Sequence, residues 1–309
     1  VELEKKKVNF LRRIRLNLLK KKPEIFVLKK RRNLPSNSWS FIVAIVKGQM
    51  TMKTIKISTW NVNGIRASYD KGLYQFVSDY SPDILCLQET KAYREQVEPK
   101  IQSLGYEYSY WSSAERKGYS GVATFAKLKP KKVSTGIDQP DYEREGRIVW
   151  SEFEEFDLYN IYFPNGGAGE DRHQFKQKFL KDLLNHLKFE MRKGKEIILV
   201  GDYNVAYLDY DVHDPVRLSK ESGFLPEERK WFREFLAAGF TDAFRLLFPQ
   251  KKEIYSWWSY REMARERNKG WRIDHICVTR GLVEKIKKCE IMMNQTGSDH
   301  CPVWVELVF

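Results

Sequence analysis

A layered α/β sandwich with two β-sheets is the fold class this sequence predicts, on three observations. From Ile55 onward, short apolar runs of strand length alternate with amphipathic stretches. Strand candidates outnumber helices, which argues against a single doubly wound parallel sheet. No internal repeat occurs at any solenoid period, so one domain is the simplest account of the body.

In chain order the strand candidates are Ile55–Val62, Asp83–Gln88, Tyr106–Trp111, Gly121–Lys127, Arg147–Phe153, Asp157–Tyr162, Glu196–Val200, Arg272–Thr279 and Pro302–Val308. The clearest helix runs from Glu170 to Arg192, where Phe175, Phe179, Leu183 and Leu187 recur every four residues on one face. Shorter helices are expected near Leu73–Tyr80, Tyr93–Leu104, Pro226–Ala238 and Leu282–Lys287.

Residues 1–50 differ in composition from everything that follows. They hold 14 Lys/Arg against 3 Asp/Glu, so of the chain's net charge of +13 the leader carries +11 and the body +2. The basic balance is therefore weak evidence that the body itself binds nucleic acid. The leader reads as an upstream segment outside the native start, since Met50 and Met52 stand just before the first strand; a basic arm for anionic partners or an organellar presequence are the alternatives. Its longest apolar run, Trp39–Val46, is far too short to span a membrane. With 42% hydrophobic residues the chain can bury a core, which excludes a disordered polyampholyte. Cys86, Cys277, Cys289 and Cys301 form no CxxC pair, so neither a zinc knuckle nor a disulfide framework is expected, and a reducing compartment is the default.

Several apolar runs end in acidic or amide residues: ILCLQE in Glu89, IILVGDYN in Asp202 and Asn204, ISTWNVN in Asn61 and Asn63. GSDH places Asp299 and His300 at the entrance to the last strand. Any one such carboxylate is ordinarily a solvated turn residue. Four clusters of Glu, Asp, Asn and His at strand edges, with no His/Cys set of zinc spacing, suit a hard cation such as Mg²⁺. Asp202 and Asn204 face one side of an extended chain, where a carboxylate beside an amide can orient a water and take its proton. Asp274 and His300 would form a carboxylate–imidazole pair if their strands are neighbours; His300 alone reads equally as an ordinary hydrogen-bonded histidine. Tyr162 ends a strand before the turn Pro164–Asn165–Gly166.

Taken together, STWNVNGIRA, DILCLQETK, ERKGYSGVA, YNIYFPNG, ILVGDYNVA, SGFLPEER, DAFR, YSWWSYR–ARERNKGWRIDH and GSDHCPVW, in that order, closely resemble the exonuclease III family of abasic-site endonucleases, within the endonuclease/exonuclease/phosphatase superfamily. The likeness spans about Ile55 to Phe309. It implies a four-layer α/β sandwich, two mixed β-sheets packed face to face with helices outside, and a single catalytic domain over 51–309. It further implies Mg²⁺-dependent hydrolysis of the phosphodiester 5′ to an abasic deoxyribose, with Mn²⁺ able to substitute. Exonuclease activity in the 3′→5′ direction and 3′-end cleaning would accompany it.

Position by position, the resemblance makes Glu89 the main metal ligand, with Asn61 and Asp299 nearby. Asp202 would orient or deprotonate the water, helped by Asn204. His300, held by Asp274, would bond the scissile phosphate, and Tyr162 would contact that phosphate or assist the leaving group. Arg66, Tyr119 and Asn165 match positions that grip the DNA backbone; Trp257, Trp271 and Ile273 match the pocket for the flipped sugar. Position 63 is Asn where some members have Asp, and GGAGED after YFPN lacks the basic side chain that some relatives insert into the duplex. Arg261 lies in the facing wedge region. The implied partner is double-stranded DNA with abasic sites or blocked 3′ ends, bound by a monomer without a membrane. The expected location is cytoplasmic, near the nucleoid in a prokaryote, or nuclear in a eukaryote. A superfamily member acting on an inositol phosphate or sphingomyelin is the rival enzyme, and the Trp-rich segment argues against it. A non-catalytic nucleic-acid binder with this fold would be expected to have lost the carboxylates that are present here.

Overall fold

The computed structural model describes residues 52–309, so the reading of 1–50 as a basic leader lies outside the described residues. The apolar runs become strands β1 (Thr54–Asn61), β2 (Ile84–Gln88), β3 (Tyr108–Ser112), β4 (Val122–Ala126), β5 (Lys132–Ser134), β6 (Ile148–Glu152), β7 (Asp157–Tyr162), β8 (Ile197–Asp202), β9 (Phe240–Asp242), β10 (Trp257–Trp258), β11 (Gly270–Trp271), β12 (Asp274–Thr279), β13 (Ile286–Ile291) and β14 (Val303–Val308). Between them run helices α1 (Ile65–Ser68), α2 (Tyr74–Tyr80), α3 (Pro99–Ser103), α4 (Pro140–Arg144), α5 (Glu170–Arg192), α6 (Pro215–Leu218), α7 (Pro226–Ala237) and α8 (Ala243–Leu247).

Two six-stranded mixed sheets result, ordered β13-β14-β1-β2-β4-β3 and β5-β6-β7-β8-β12-β9, with the hairpin β10–β11 apart. Their inner faces meet in an apolar core that includes Ile57, Cys86, Leu158, Val200, Ile276 and Val305. A buried polar tie crosses this core, where the Gln88 amide donates to Asn160 Oδ1 at 2.7 Å. Trp60, Leu85 and Phe125 cover the outer face of the first sheet, packing on α1 to α3 through Ile65, Phe76 and Ile101. Tyr159, Leu199 and Cys277 do the same for the second sheet, against Phe179, Leu183 and Leu187 of α5 and Phe232 and Phe235 of α7. The architecture is thus helix, sheet, sheet, helix, the four-layer sandwich expected. All four cysteines are free and buried, and burial raises the thiol pKa of each, so they are inert core residues.

Two of the expected helices differ. The stretch Tyr93–Leu104 is a 3₁₀ turn at Arg94–Gln96 and a separate α3, because Pro99 lacks the N–H to continue a helix and leaves Glu98 extended. Leu282–Lys287 straddles a 3₁₀ turn, Arg280–Lys285, and the start of β13. The polar residues Lys287, Lys288 and Glu290 of that edge strand hid its alternation.

One buried charge network locks β12 to the segment before the site. Arg272 donates to both Asp211 oxygens at 2.8 and 3.0 Å and to Asp242 at 2.7 Å, and Arg245 pairs with Asp211 as well. Burial opposes ionisation of both carboxyls. Arg272 with Arg245 at Asp211, and Arg272 with His275 at Asp242, outweigh it and hold both below the usual carboxylate range. The folded chain therefore binds fewer protons than the unfolded one in acid. This stability is complete above the unfolded value near ~3.9 and disappears as pH falls through the depressed folded values. Arg272→Met would leave Asp211 with Arg245 alone and Asp242 with His275 alone, a loss of roughly 3–5 kcal/mol. Thermal unfolding at pH 7 should drop by about 6–20 °C, at roughly 2–4 °C per kcal/mol, and the gap should narrow on acidification. A drop of under ~2 °C would show that the network contributes little.

Candidate active site

Parallel pairing of β1 with β2 sets Asn61 beside Gln88, and parallel pairing of β7 with β8 sets Tyr162 beside Asp202. Antiparallel β12 begins with Asp274 directly opposite Asp202. Strand ends from both sheets thereby deliver their polar residues to one end of the sandwich. Gly201 makes the close β7–β8 approach possible, since a Cβ there would collide with the Ile161 carbonyl at φ +141°. Past the strand ends, Asn63, Glu89 and Asn204 take left-handed backbone, φ 47°, 49° and 50°. Asn tolerates this; for Glu89 it is strain held by the surrounding hydrogen bonds, a pattern typical of functional sites.

Asn61 lies between two acids, its amide nitrogen donating to Glu89 Oε1 and Asp202 Oδ2, both at 2.9 Å. Its oxygen accepts from the Asn63 backbone, so as oriented Asn61 presents a donor rather than an oxygen ligand. Asp202 accepts from the Asn204 N–H at 2.8 Å and from its side-chain amide at 3.3 Å. Asn165 donates to Asn204 Oδ1 at 3.2 Å. Burial and the facing Asp274 push the Asp202 carboxyl above the usual carboxylate range.

His300 Nδ1 meets Asp274 Oδ2 at 2.8 Å, and Nε2 faces Asp202 at 3.8 Å. Burial opposes the imidazolium, but Asp274 and Asp202 outweigh it and raise His300 to about 10. Ser256 fixes Asp274 by accepting from its backbone N–H at 3.0 Å, while Asp274 Oδ1 is buried without a partner. Trp257 Nε1 donates to Asp299 at 3.1 Å, as does Asn63 Nδ2 at 2.9 Å. Burial, then Glu89, hold the Tyr162 phenol well above its ordinary range, so it is a neutral donor at neutral pH.

These groups open into one cleft of about 520 Å³ lined by Glu89, Tyr162, Asn165, Asp202, Asn204, Asp299 and His300 at one end. Trp257, Arg261, Trp271 and Ile273 line it too. Trp271 and Ile273 also belong to a small apolar cluster with Ala206, Val212, Leu218 and Phe224, so the pocket wall is itself a satellite core. The cleft does not include Arg66 or Tyr119. Arg66 is exposed on α1, whereas Tyr119 Oη accepts from Arg147 at 2.8 Å and Arg172 at 3.2 Å beside Glu145.

Sequence reasoning missed several supporting groups. Lys91 places its ammonium 2.8 Å from Glu89 Oε2 and against Asn63; with Asn61 it holds Glu89 below the ordinary carboxylate range against the effect of burial. Lys91 stands inside QETK, and its spacing two residues past Glu89 was a usable signal. Lys176, buried on α5, donates to the Asn204 carbonyl at 2.8 Å and pairs with Glu228, which in turn accepts from the Gly223 N–H. Ser256, which holds Asp274, and Ser298, whose hydroxyl donates to the Asn61 carbonyl at 2.8 Å, stand inside YSWWSYR and GSDHCPVW but were not singled out.

Asp202, Asp274 and His300 each offer one ligand atom within 4.8 Å of the others, a group that could hold a metal ion. The Endonuclease/Exonuclease/phosphatase family profile matches residues 58–300, which takes in every one of these strand ends. The chain belongs to the endonuclease/exonuclease/phosphatase family. Within it, the chain is 41% identical over 250 residues to the exodeoxyribonuclease of Bacillus subtilis, covering 81% of this chain and 98% of that protein. An AP endonuclease structure from Archaeoglobus fulgidus superposes with TM-score 0.73 at 32% identity, covering 81% and 98% of the two chains. A 3′ phosphatase structure from Neisseria, bound to a product DNA hairpin, gives TM-score 0.76 at 28% identity, covering 82% and 99%. Among the described residues, no helix is long and apolar enough to cross a membrane.

Proposed function

We propose that this family member is a DNA-repair nuclease that hydrolyses the phosphodiester 5′ to an abasic site, leaving a 3′-hydroxyl and a 5′-deoxyribose phosphate. The same site would trim 3′ ends as an exonuclease and remove 3′ blocks. The observation that carries this reading is the shared cleft: Asp202, Asn204 and His300, the last bonded to the buried Asp274, line one cleft with the apolar walls of Trp257, Trp271 and Ile273. An abasic sugar has no base to unstack, so it enters such a compartment at little cost, and the walls exclude a nucleotide that keeps its base. The named relatives, an exodeoxyribonuclease, an AP endonuclease and a 3′ phosphatase holding DNA, support DNA as the substrate.

In this reading Asp202, steadied by Asn204, takes a proton from the attacking water as its oxygen bonds to phosphorus. The protonated His300, oriented by Asp274, donates to a non-bridging phosphate oxygen. The P–O3′ bond breaks, and Tyr162 supplies a hydrogen bond or proton to the departing oxygen. Glu89 and Asp299 are hard oxygen donors lining the cleft, and the Lys91 ammonium beside Glu89 supports a site that holds positive charge. They fit Mg²⁺, with Mn²⁺ as a substitute, better than the imidazole-containing group does. When bound, the ion offsets charge on the transition state and the leaving oxygen. Asn61 then steadies Glu89 and Asp202 together. Asn165, Arg66 and Tyr119 are assigned to the DNA backbone, and Arg261 to the wedge against the duplex.

The enzyme would act as a monomer on duplex DNA, in the cytoplasm of a prokaryote or the nucleus of a eukaryote. Residues 51–309 would suffice for catalysis. Deleting residues 1–50 should leave the single-turnover rate unchanged while flattening the salt dependence of DNA binding, by about 0.9 log–log units per lost phosphate contact. A truncated protein that folds but cuts slowly would place the leader in the catalytic unit.

A further inference from the structure

Where α5 meets α7, a buried ion pair reaches the cleft residue Asn204 from behind. Lys176 continues the buried stripe of α5 formed by Leu180, Leu183 and Leu187, at helical spacing. An apolar side chain is the ordinary occupant of such a position. Lys176 is instead fully buried, and its ammonium pairs with the equally buried Glu228 of α7. Desolvating two charges offsets most of their attraction, so an apolar pair of similar volume would join the helices about as well. Helix packing does not explain the charges.

What they touch does explain them. Lys176 Nζ donates to the backbone carbonyl of Asn204 at 2.8 Å. Asn204 has left-handed backbone, and its N–H is held by Asp202 Oδ1 at 2.8 Å, so the residue is pinned at both ends. Its side-chain amide donates to the Phe163 carbonyl at 3.0 Å, and its Oδ1 accepts from Asn165. Glu228 completes the frame: one oxygen takes Lys176, and the other accepts from the N–H groups of Gly223 at 2.6 Å and Leu225 at 3.0 Å. Gly166 leaves room for the lysine stem, since a Cβ there would lie 3.3 Å from Lys176 Cδ and 2.9 Å from Ser222 Oγ. One ammonium thus joins α5, the loop after β8 and the start of α7 at the Asn204 carbonyl.

A charge-assisted hydrogen bond is roughly twice as strong as a neutral one, which suits it to holding a peptide in one place. We propose that Lys176, itself held by Glu228, is a positioning residue that fixes the left-handed Asn204 backbone and so aims the Asn204 amide and Asp202 at the attacking water. The inference rests on the abasic-nuclease reading above and deepens it. It assigns part of the water's placement to a buried side chain that does not line the cleft.

The test is single-turnover incision of a duplex carrying one abasic analogue, read beside the dissociation constant for that duplex. Lys176→Met/Glu228→Gln removes both charges together and keeps an oxygen for Gly223 and Leu225. The incision rate should fall about tenfold or more, the scale of one charge-assisted hydrogen bond. The dissociation constant should stay within about threefold, because neither side chain lines the cleft. Asn204→Gly keeps the carbonyl and the left-handed backbone but removes the amide. Adding the neutral pair to Asn204→Gly should cost under about threefold more, since the group that Lys176 aims is gone. An unchanged rate, the same fold loss in both backgrounds, or a rate loss matched by lost DNA binding overturns the positioning role. If the neutral pair does not fold, Lys176→Gln is carried through the same two backgrounds and decided by the same ratios. An unmodified enzyme that leaves the duplex intact sinks the nuclease reading and this inference with it, whereas cutting with equal losses overturns the positioning role alone.

Discussion

Asp202→Asn should slow single-turnover incision of an abasic duplex by about 10²–10⁴-fold, the range a positioned general base supplies. Affinity for the DNA should stay near that of the unmodified enzyme. The substitution keeps the shape of a buried side chain that accepts from Asn61, at 2.9 Å, and from Asn204. It removes the oxygen proposed to take the proton, from a carboxyl that burial and Asp274 push above its usual range. Turnover within about threefold of the unmodified enzyme would transfer the water-activating role to another group.

Glu89→Gln should be nearly as damaging and for a different reason. A metal ion's electrostatic stabilisation is worth several kcal/mol, so if Glu89 holds the ion as proposed, its loss should cost roughly 10²–10³-fold at low Mg²⁺. Raising Mg²⁺ or Mn²⁺ should recover part of the rate, which it should not do for Asp202→Asn. Direct Mn²⁺ binding, followed by electron paramagnetic resonance, should weaken in parallel. Because Glu89 also anchors Lys91 and Asn61, unchanged Mn²⁺ binding with lost activity would make it an organiser of those groups and move the ion to Asp202, Asp274 and His300.

Much of this site was legible because each contributing strand announces its end. An apolar run that stops at Glu89, Asp202 or Asn61 places a polar group where a buried strand meets a loop, and two parallel pairs bring those ends to one side. What stayed hidden depends on contacts distant in sequence. The α5 pattern suggested Phe175 on the buried face, yet Phe175 is half-buried and Lys176 is fully buried, because a carboxylate 52 residues away neutralises it. The motif GWRIDH pointed to the pocket through Trp271 and Ile273. Alternation along it sends Arg272 to the opposite side, into Asp211 and Asp242, whose separate positions gave no hint of a shared partner. The small strands β5, β9, β10 and β11 are two or three residues long, too short for any period to register.

The central claim is most directly tested on a duplex with one abasic analogue at a known position, incubated in Mg²⁺ and in EDTA, with products sized on a denaturing gel. The account predicts one Mg²⁺-dependent cut immediately 5′ to the analogue, leaving a 3′-hydroxyl that a polymerase extends. An intact duplex in Mg²⁺, a cut on the 3′ side, or equal cutting in EDTA would contradict it.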